Sequence, residues 1–182
     1  MSPYYLFLIL LAGSAAAQAQ QLLQDFTPPC VRPELNQIAF LEGEWDVISE
    51  KRASFEDEEW EESKAVANWT PVLSGCVLQE HWSGTLDGKL MEWIQMLAYN
   101  QRDQKWEQGM VDWTHGNLIT SEGYYKEGKL VFTTPHMRSG KLLIDKIIIE
   151  KVSDSRVNWT IKTSLDGGET WNTFWKMRYT RK

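Results

Sequence analysis

The 182-residue chain has only two cysteines, Cys30 and Cys76, and three histidines, His81, His115 and His136. The histidines stand far apart, with no H-E-x-x-H, and the cysteines form no C-x-x-C, so the local zinc patterns are missing. There is no G-x-S-x-G nucleophile elbow and no phosphate-cradling glycine loop. Carboxylates are plentiful, yet no spacing singles out a glycosidase-like pair. No cofactor or metal is expected on these grounds. An excess of basic charge is also lacking: the formal net charge is −6 and the pI is near 5.1. That balance argues against nucleic acid, which favours a basic face, and against charge-driven docking to anionic membranes. No apolar run reaches the ~20 residues a membrane-crossing helix needs, so no stable membrane insertion is expected.

What is present begins with "YYLFLILLAG", an apolar run the length of a signal-peptide core. "SAAAQAQ" follows, and Ala17-Gln18-Ala19 is a small-x-small cleavage site. Residues 1–19 are therefore expected to be a signal peptide cleaved after Ala19, delivering the chain to a periplasmic or extracellular space. The stretch before the run has no Lys or Arg, and an N-terminal membrane anchor is the alternative. Residues 20–32 read as a flexible lead-in and 33–182 as one domain. Both cysteines fall after the cleavage site. In an oxidising compartment they form either a Cys30–Cys76 bridge or two buried free thiols.

"RPELNQIAFLEG", residues 32–43, predicts a short helix: Pro33 suits a first turn, Leu35, Ile38 and Leu41 recur, and Gly43 stops it. Beyond it run ten strand-like segments at 44–51, 63–73, 77–85, 90–100, 105–113, 118–125, 129–134, 141–151, 156–163 and 170–181. Short turns such as "LDGK", "KEGK" and "RSGK" separate them. The pattern predicts an all-β fold, a single up-and-down antiparallel barrel of about ten strands, closed so that no edge is left unpaired. The one long connection, "ASFEDEEWEE", is either a solvated acidic loop or a flap beside a cavity mouth. Residues 90–100 are apolar on both faces, which calls for cover on both sides or for a ligand on one.

"LEGEWDV", "VLSGCVLQEHWSG", "MLAYNQRDQKWEQGMVD" and "SLDGGETWNTFWKMRYTR" together resemble a bacterial family of calycin-like proteins, domain of unknown function 1579. The resemblance runs from about Leu41 to Arg181 and implies a lipocalin- or nitrobindin-like barrel with an unassigned activity. It implies that Trp45, in the Gly43-x-Trp45 motif, plugs the closed barrel end. Nitrobindin-like relatives hold haem through a late-strand histidine, but residues 156–181 contain none. His115 precedes Gly116-Asn117 and is expected to make a hairpin contact rather than to bind haem. Fatty-acid-binding barrels hold a carboxylate with Arg-x-Tyr on the last strand. Here the order is Tyr179-x-Arg181, and a frayed terminal charge is the alternative reading of Arg181. "SLDGGETW" resembles the Asp-box of sialidase propellers, but it occurs once and reads as a local turn.

The expected partner is a small hydrophobic or amphipathic molecule, walled by Trp82, Trp93, Trp113, Trp159, Trp171 and Trp175, with Tyr179 and Arg181 as polar contacts. The alternatives are an interaction module whose barrel is filled by its own side chains, a haem-binding protein, or an enzyme of unrecognised type using Glu80, His81 and His115.

Overall fold

Alternating apolar and polar residues build ten strands, each burying one face. They are β1 (Gly43–Lys51), β2 (Glu61–Val72), β3 (Val77–Leu86), β4 (Lys89–Asn100), β5 (Lys105–Asp112), β6 (Leu118–Lys126), β7 (Lys129–Arg138), β8 (Lys141–Ser153), β9 (Arg156–Ser164) and β10 (Asn172–Arg181). This computed structural model describes residues 29–182 apart from His115, Ser139 and the side chain of Arg138. The expected signal peptide, most of the lead-in and His115 lie outside the described residues. Each strand pairs antiparallel with its chain neighbours, and β1 pairs with β10 from Trp45↔Arg181 to Lys51↔Trp175, closing the barrel. At the β3–β4 and β6–β7 turns, Asp87-Gly88 and Glu127-Gly128 all have positive φ. That geometry matches the right-handed twist of the flanking strands.

The segment before β1 corrects the expected helix. It forms two 3-10 turns, Pro33–Gln37 and Ala39–Leu41, broken at Ile38. Their bonds skip three residues, as in Leu41 N–H to the Ile38 carbonyl at 2.9 Å. Leu35, Ile38 and Leu41 repeat at intervals of three, the period that aligns side chains on a 3-10 turn rather than on an α-helix. The segment is also too short to repay α-helix nucleation.

These turns plug one end of the barrel. Ile38 and Leu41 are buried beneath Trp45, whose indole donates to the Leu41 carbonyl at 2.8 Å. Arg181 caps the same end. It donates to the carbonyls of Glu42 (2.6 Å), Phe40 (2.8 Å) and Asp154 (3.0 Å), with its guanidinium 4.2 Å from the Trp45 ring centre. Trp69, Leu78, Leu97, Trp106, Leu130, Ile149 and Val157 fill the space above. A disulfide joins Cys30 to Cys76, Cα atoms 5.3 Å apart, and so ties the lead-in to the β2–β3 connection at this packed end.

The opposite end is looser. β6 pairs with β7 only from Glu122↔Thr133 to Lys126↔Lys129, whereas β7 stays paired with β8 as far as Arg138↔Lys141. Towards the open end the seam between β6 and β7 is therefore unzipped. Pro135 sits in this half-edge stretch, the setting in which a strand tolerates proline. The strand expected to end at residue 134 runs four residues further, to Arg138.

Candidate functional site

The open half of the barrel holds a cavity of about 760 Å³. Trp93, Met110, Trp159, Ile161, Trp175 and Ile147 form its floor and walls, with Phe55, Leu86, Leu90, Phe174 and Trp113 nearer the mouth. The inward alternation of each strand brings these side chains together. At β10 Trp175 shares the inward row of Met177 and Tyr179, and a register shift between Thr173 and Trp175 lets Phe174 line the cavity beside it.

The floor rests on stacked indoles. Trp82, fully buried, lies parallel to Trp93 with ring centres 3.8 Å apart. Trp175 meets Trp93 and Trp159 edge to face, at 5.8 and 5.3 Å. Edge-to-face and offset arrangements suit the ring quadrupole and hold the indoles in place. Beneath the floor Glu80 is fully buried, accepting the Trp93 indole N–H at 2.9 Å and the Tyr179 hydroxyl at 3.0 Å. Burial pushes its carboxyl up to about 7, against the opposing pull of those donors. Burial, and then the neighbouring Glu80, push the Tyr179 hydroxyl upward as well, so it stays a neutral donor. A buried chain continues across β4–β6: Gln108 donates to Gln95 at 2.6 Å, and Ser121 donates to Gln108 at 2.7 Å.

One wall is polar. Asp145 accepts the Thr163 hydroxyl at 2.5 Å, and its other oxygen lies 3.6 Å from His136 Nδ1. All three residues line the cavity, as does Asp112, which accepts the Thr114 N–H at 2.8 Å. At the lip Lys51 pairs with Asp87 at 2.9 Å. Exposed Leu90, Trp113, Leu118, Met137, Leu142 and Leu165 ring the mouth on four different hairpins. The acidic loop, residues 52–60, lies beside the mouth, and its Phe55 packs on Phe174 at 5.2 Å between ring centres.

The expected site residues separate accordingly. Trp93, Trp159 and Trp175 line the cavity, and Trp113 lines its rim. Trp82 supports the floor from below. Trp171 lies outside the cavity lining: its indole donates to Gly168 O at 3.0 Å, and Lys146 Nζ sits 3.7 Å from its ring centre. It closes the "SLDGGETW" turn, in which Asp166 accepts bonds from Ser164 and Thr170 and is held well below the usual carboxylate range by them. Tyr179 and Arg181 are spent on Glu80 and on the packed end, so neither lines the cavity. Glu80 and His81 point to opposite faces, and His81 pairs outside with Glu92 at 2.5 Å. His136 and Asp145 are cavity residues that the sequence reading passes over. Continuing the inward alternation Leu130, Phe132, Thr134 through Pro135 would have reached His136.

The DUF1579 family model, described as a protein of unknown function, matches residues 32–181. The chain belongs to this family. Its barrel is calycin-like: an S-type phycobiliprotein lyase from Guillardia theta superposes with a TM-score of 0.55 at 11% identity, over 84% of this chain and 94% of that one. Rv2717c from M. tuberculosis gives a TM-score of 0.55 at 11% identity, over 84% of this chain and 99% of that one. At such identities the likeness shows the fold alone. No curated protein matches the sequence.

Proposed function

We propose that the protein is exported and binds a small apolar or amphipathic molecule in the hollow half of its barrel. The observation that carries the binding is the cavity of about 760 Å³, walled by indoles and aliphatic side chains and open at one end. Its size and its few convergent polar groups are those of a small-molecule site. A barrel filled by its own side chains does not describe this half of the molecule, because the packing stops at the Trp93 floor. Export rests on the apolar run and small-x-small site of residues 1–19, and a cysteine pair bridged in the fold suits an oxidising compartment.

Native mass spectrometry of the purified protein, with calorimetric titration of 1-naphthalenemethanol as a neutral probe, tests the binding. A retained adduct or one-to-one binding heat is expected, and neither appearing would end this reading. Intact mass of the exported chain tests cleavage after Ala19, and a full-length chain kept in the cytoplasm would overturn it.

A further inference from the structure

Among the cavity's described lining residues, much of what an anion would need is turned away from the cavity or already paired. Three hydrogen-bond donors of these described lining residues are already engaged below or beside the wall. The Trp93 indole N–H is given to Glu80 at 2.9 Å, and the Trp175 indole N–H to Ser49 at 2.8 Å. The Thr163 hydroxyl is given to Asp145 at 2.5 Å. Both Trp93 and Trp175 therefore turn their N–H edges into the protein.

Among the described lining residues the fixed cations are Lys51 and Lys89. Lys51 is neutralised by Asp87 at 2.9 Å, and Lys89 sits at the exposed start of β4. Arg181, which a carboxylate-binding barrel would need, is at the other end, holding three carbonyls.

The cavity is instead built of acceptors and ring faces. Asp145 is partly exposed on the cavity wall. A carboxylate offers about four lone-pair sites; Thr163 takes one, and His136 Nδ1 stands 3.6 Å from the other oxygen. Asp112, whose carboxylate accepts the Thr114 N–H at 2.8 Å, also lines the cavity. Around them stand Trp93, Trp159 and Phe55, with Trp175 and Phe174, whose ring centres lie 5.9 and 5.7 Å from Lys51 Nζ. Aromatic faces attract cations through their quadrupole, most strongly where water is excluded.

Resting on the reading of this cavity as a ligand site, we infer that its ligand is an organic cation. Its apolar body lies among the indoles, and its amine or quaternary ammonium is held against Asp145.

Titration calorimetry of the full chain at neutral pH with three matched probes tests this: 1-naphthylmethylammonium, 1-naphthalenemethanol and 1-naphthoate. The ammonium is expected to bind about tenfold more tightly than the alcohol, and the carboxylate most weakly. Asp145→Asn should lower the ammonium to the affinity of the alcohol and leave the alcohol unchanged. Should that variant not fold, the wild-type ranking decides by itself. Alcohol or carboxylate binding as well as the ammonium overturns the inference while leaving the cavity as a ligand site. An ammonium preference untouched by Asp145→Asn removes Asp145 from it and overturns it in this form. No binding of any of the three brings down the cavity reading and this inference together.

Discussion

A carboxyl group without a cation, sealed under a floor of tryptophan, sets the behaviour of this protein at the scale of single residues. In the unfolded chain Glu80 titrates at its ordinary value of 4.5, and in the barrel at about 7. The folded state thus binds the extra proton, and the contribution of Glu80 to stability is greatest below pH 4.5. It falls as pH rises through about 7 and is then flat, a total of roughly 3 kcal/mol. Urea denaturation across that range should show this decline in the wild type, and Glu80→Gln should flatten it. A variant curve as steep as the wild type would show that other groups carry the dependence. Asp166 works in the opposite direction: its depressed carboxyl stabilises the fold at neutral pH and is lost on acidification.

Tryptophans at the same scale differ by position. Trp82→Ala should cost about 3–5 kcal/mol, as buried aromatic truncations do. Trp171→Ala, which removes a half-buried ring from its own turn, should cost roughly 1–2 kcal/mol, one hydrogen bond and one cation–π contact. Equal losses in chemical denaturation would contradict this ordering. From the sequence both tryptophans look alike; the difference comes from the register shift between Thr173 and Trp175, which takes Trp171 off the inward row.

At the scale of elements, the strands were legible to within a residue or two at most ends, because half-buried strands carry period-two alternation and their turns carry Gly, Asp and Asn. Two features were hidden. The 3-10 plug shares its apolar residues with a helix and differs only in their spacing. The length of β7 was masked by Pro135, which reads as a stop unless one knows that β6 has already left that side. The cavity was legible only as a surplus of tryptophan, since which rings meet depends on closure.

Two strand glycines stand where the neighbouring strand comes too close for a Cβ. A Cβ on Gly84 would meet Ala65 and the Lys64 carbonyl, and one on Gly123 would meet the Val131 carbonyl and the Phe132 ring. Gly123→Ala should therefore destabilise by about 1–3 kcal/mol, the cost of overpacking. A thermal midpoint equal to wild type would show that the backbone yields there. The cross-link between lead-in and barrel closes a loop with a sequence separation of 46. On the chain-entropy model that is worth about 4 kcal/mol. Thiol titration of the denatured, unreduced protein should find none free, and reduction should lower the denaturation midpoint accordingly.

The whole molecule divides its labour along the barrel axis. One half is packed solid by the plug, Trp45, Trp69, Trp106 and their aliphatic neighbours; the other is hollow. A molecule entering the hollow half adds contacts that the unfolded chain cannot make. The neutral naphthalene probe at a hundred times its Kd should therefore raise the free energy of unfolding by about 2.7 kcal/mol. Met110→Trp, which fills the cavity from β5, should abolish that gain while leaving the barrel folded. A gain that survives would place the probe elsewhere.

Closure by β1 and β10 has one more result. Residue 29, held by Gln101 at its carbonyl, and Lys182, donating to the Glu44 carbonyl, both leave the barrel at the plugged pole. Anything attached after Lys182, whether a fusion partner, an affinity tag or a solid support, hangs from the pole opposite the mouth. A sensor chip that captures the protein by its tail thus presents every copy with its opening towards the solution.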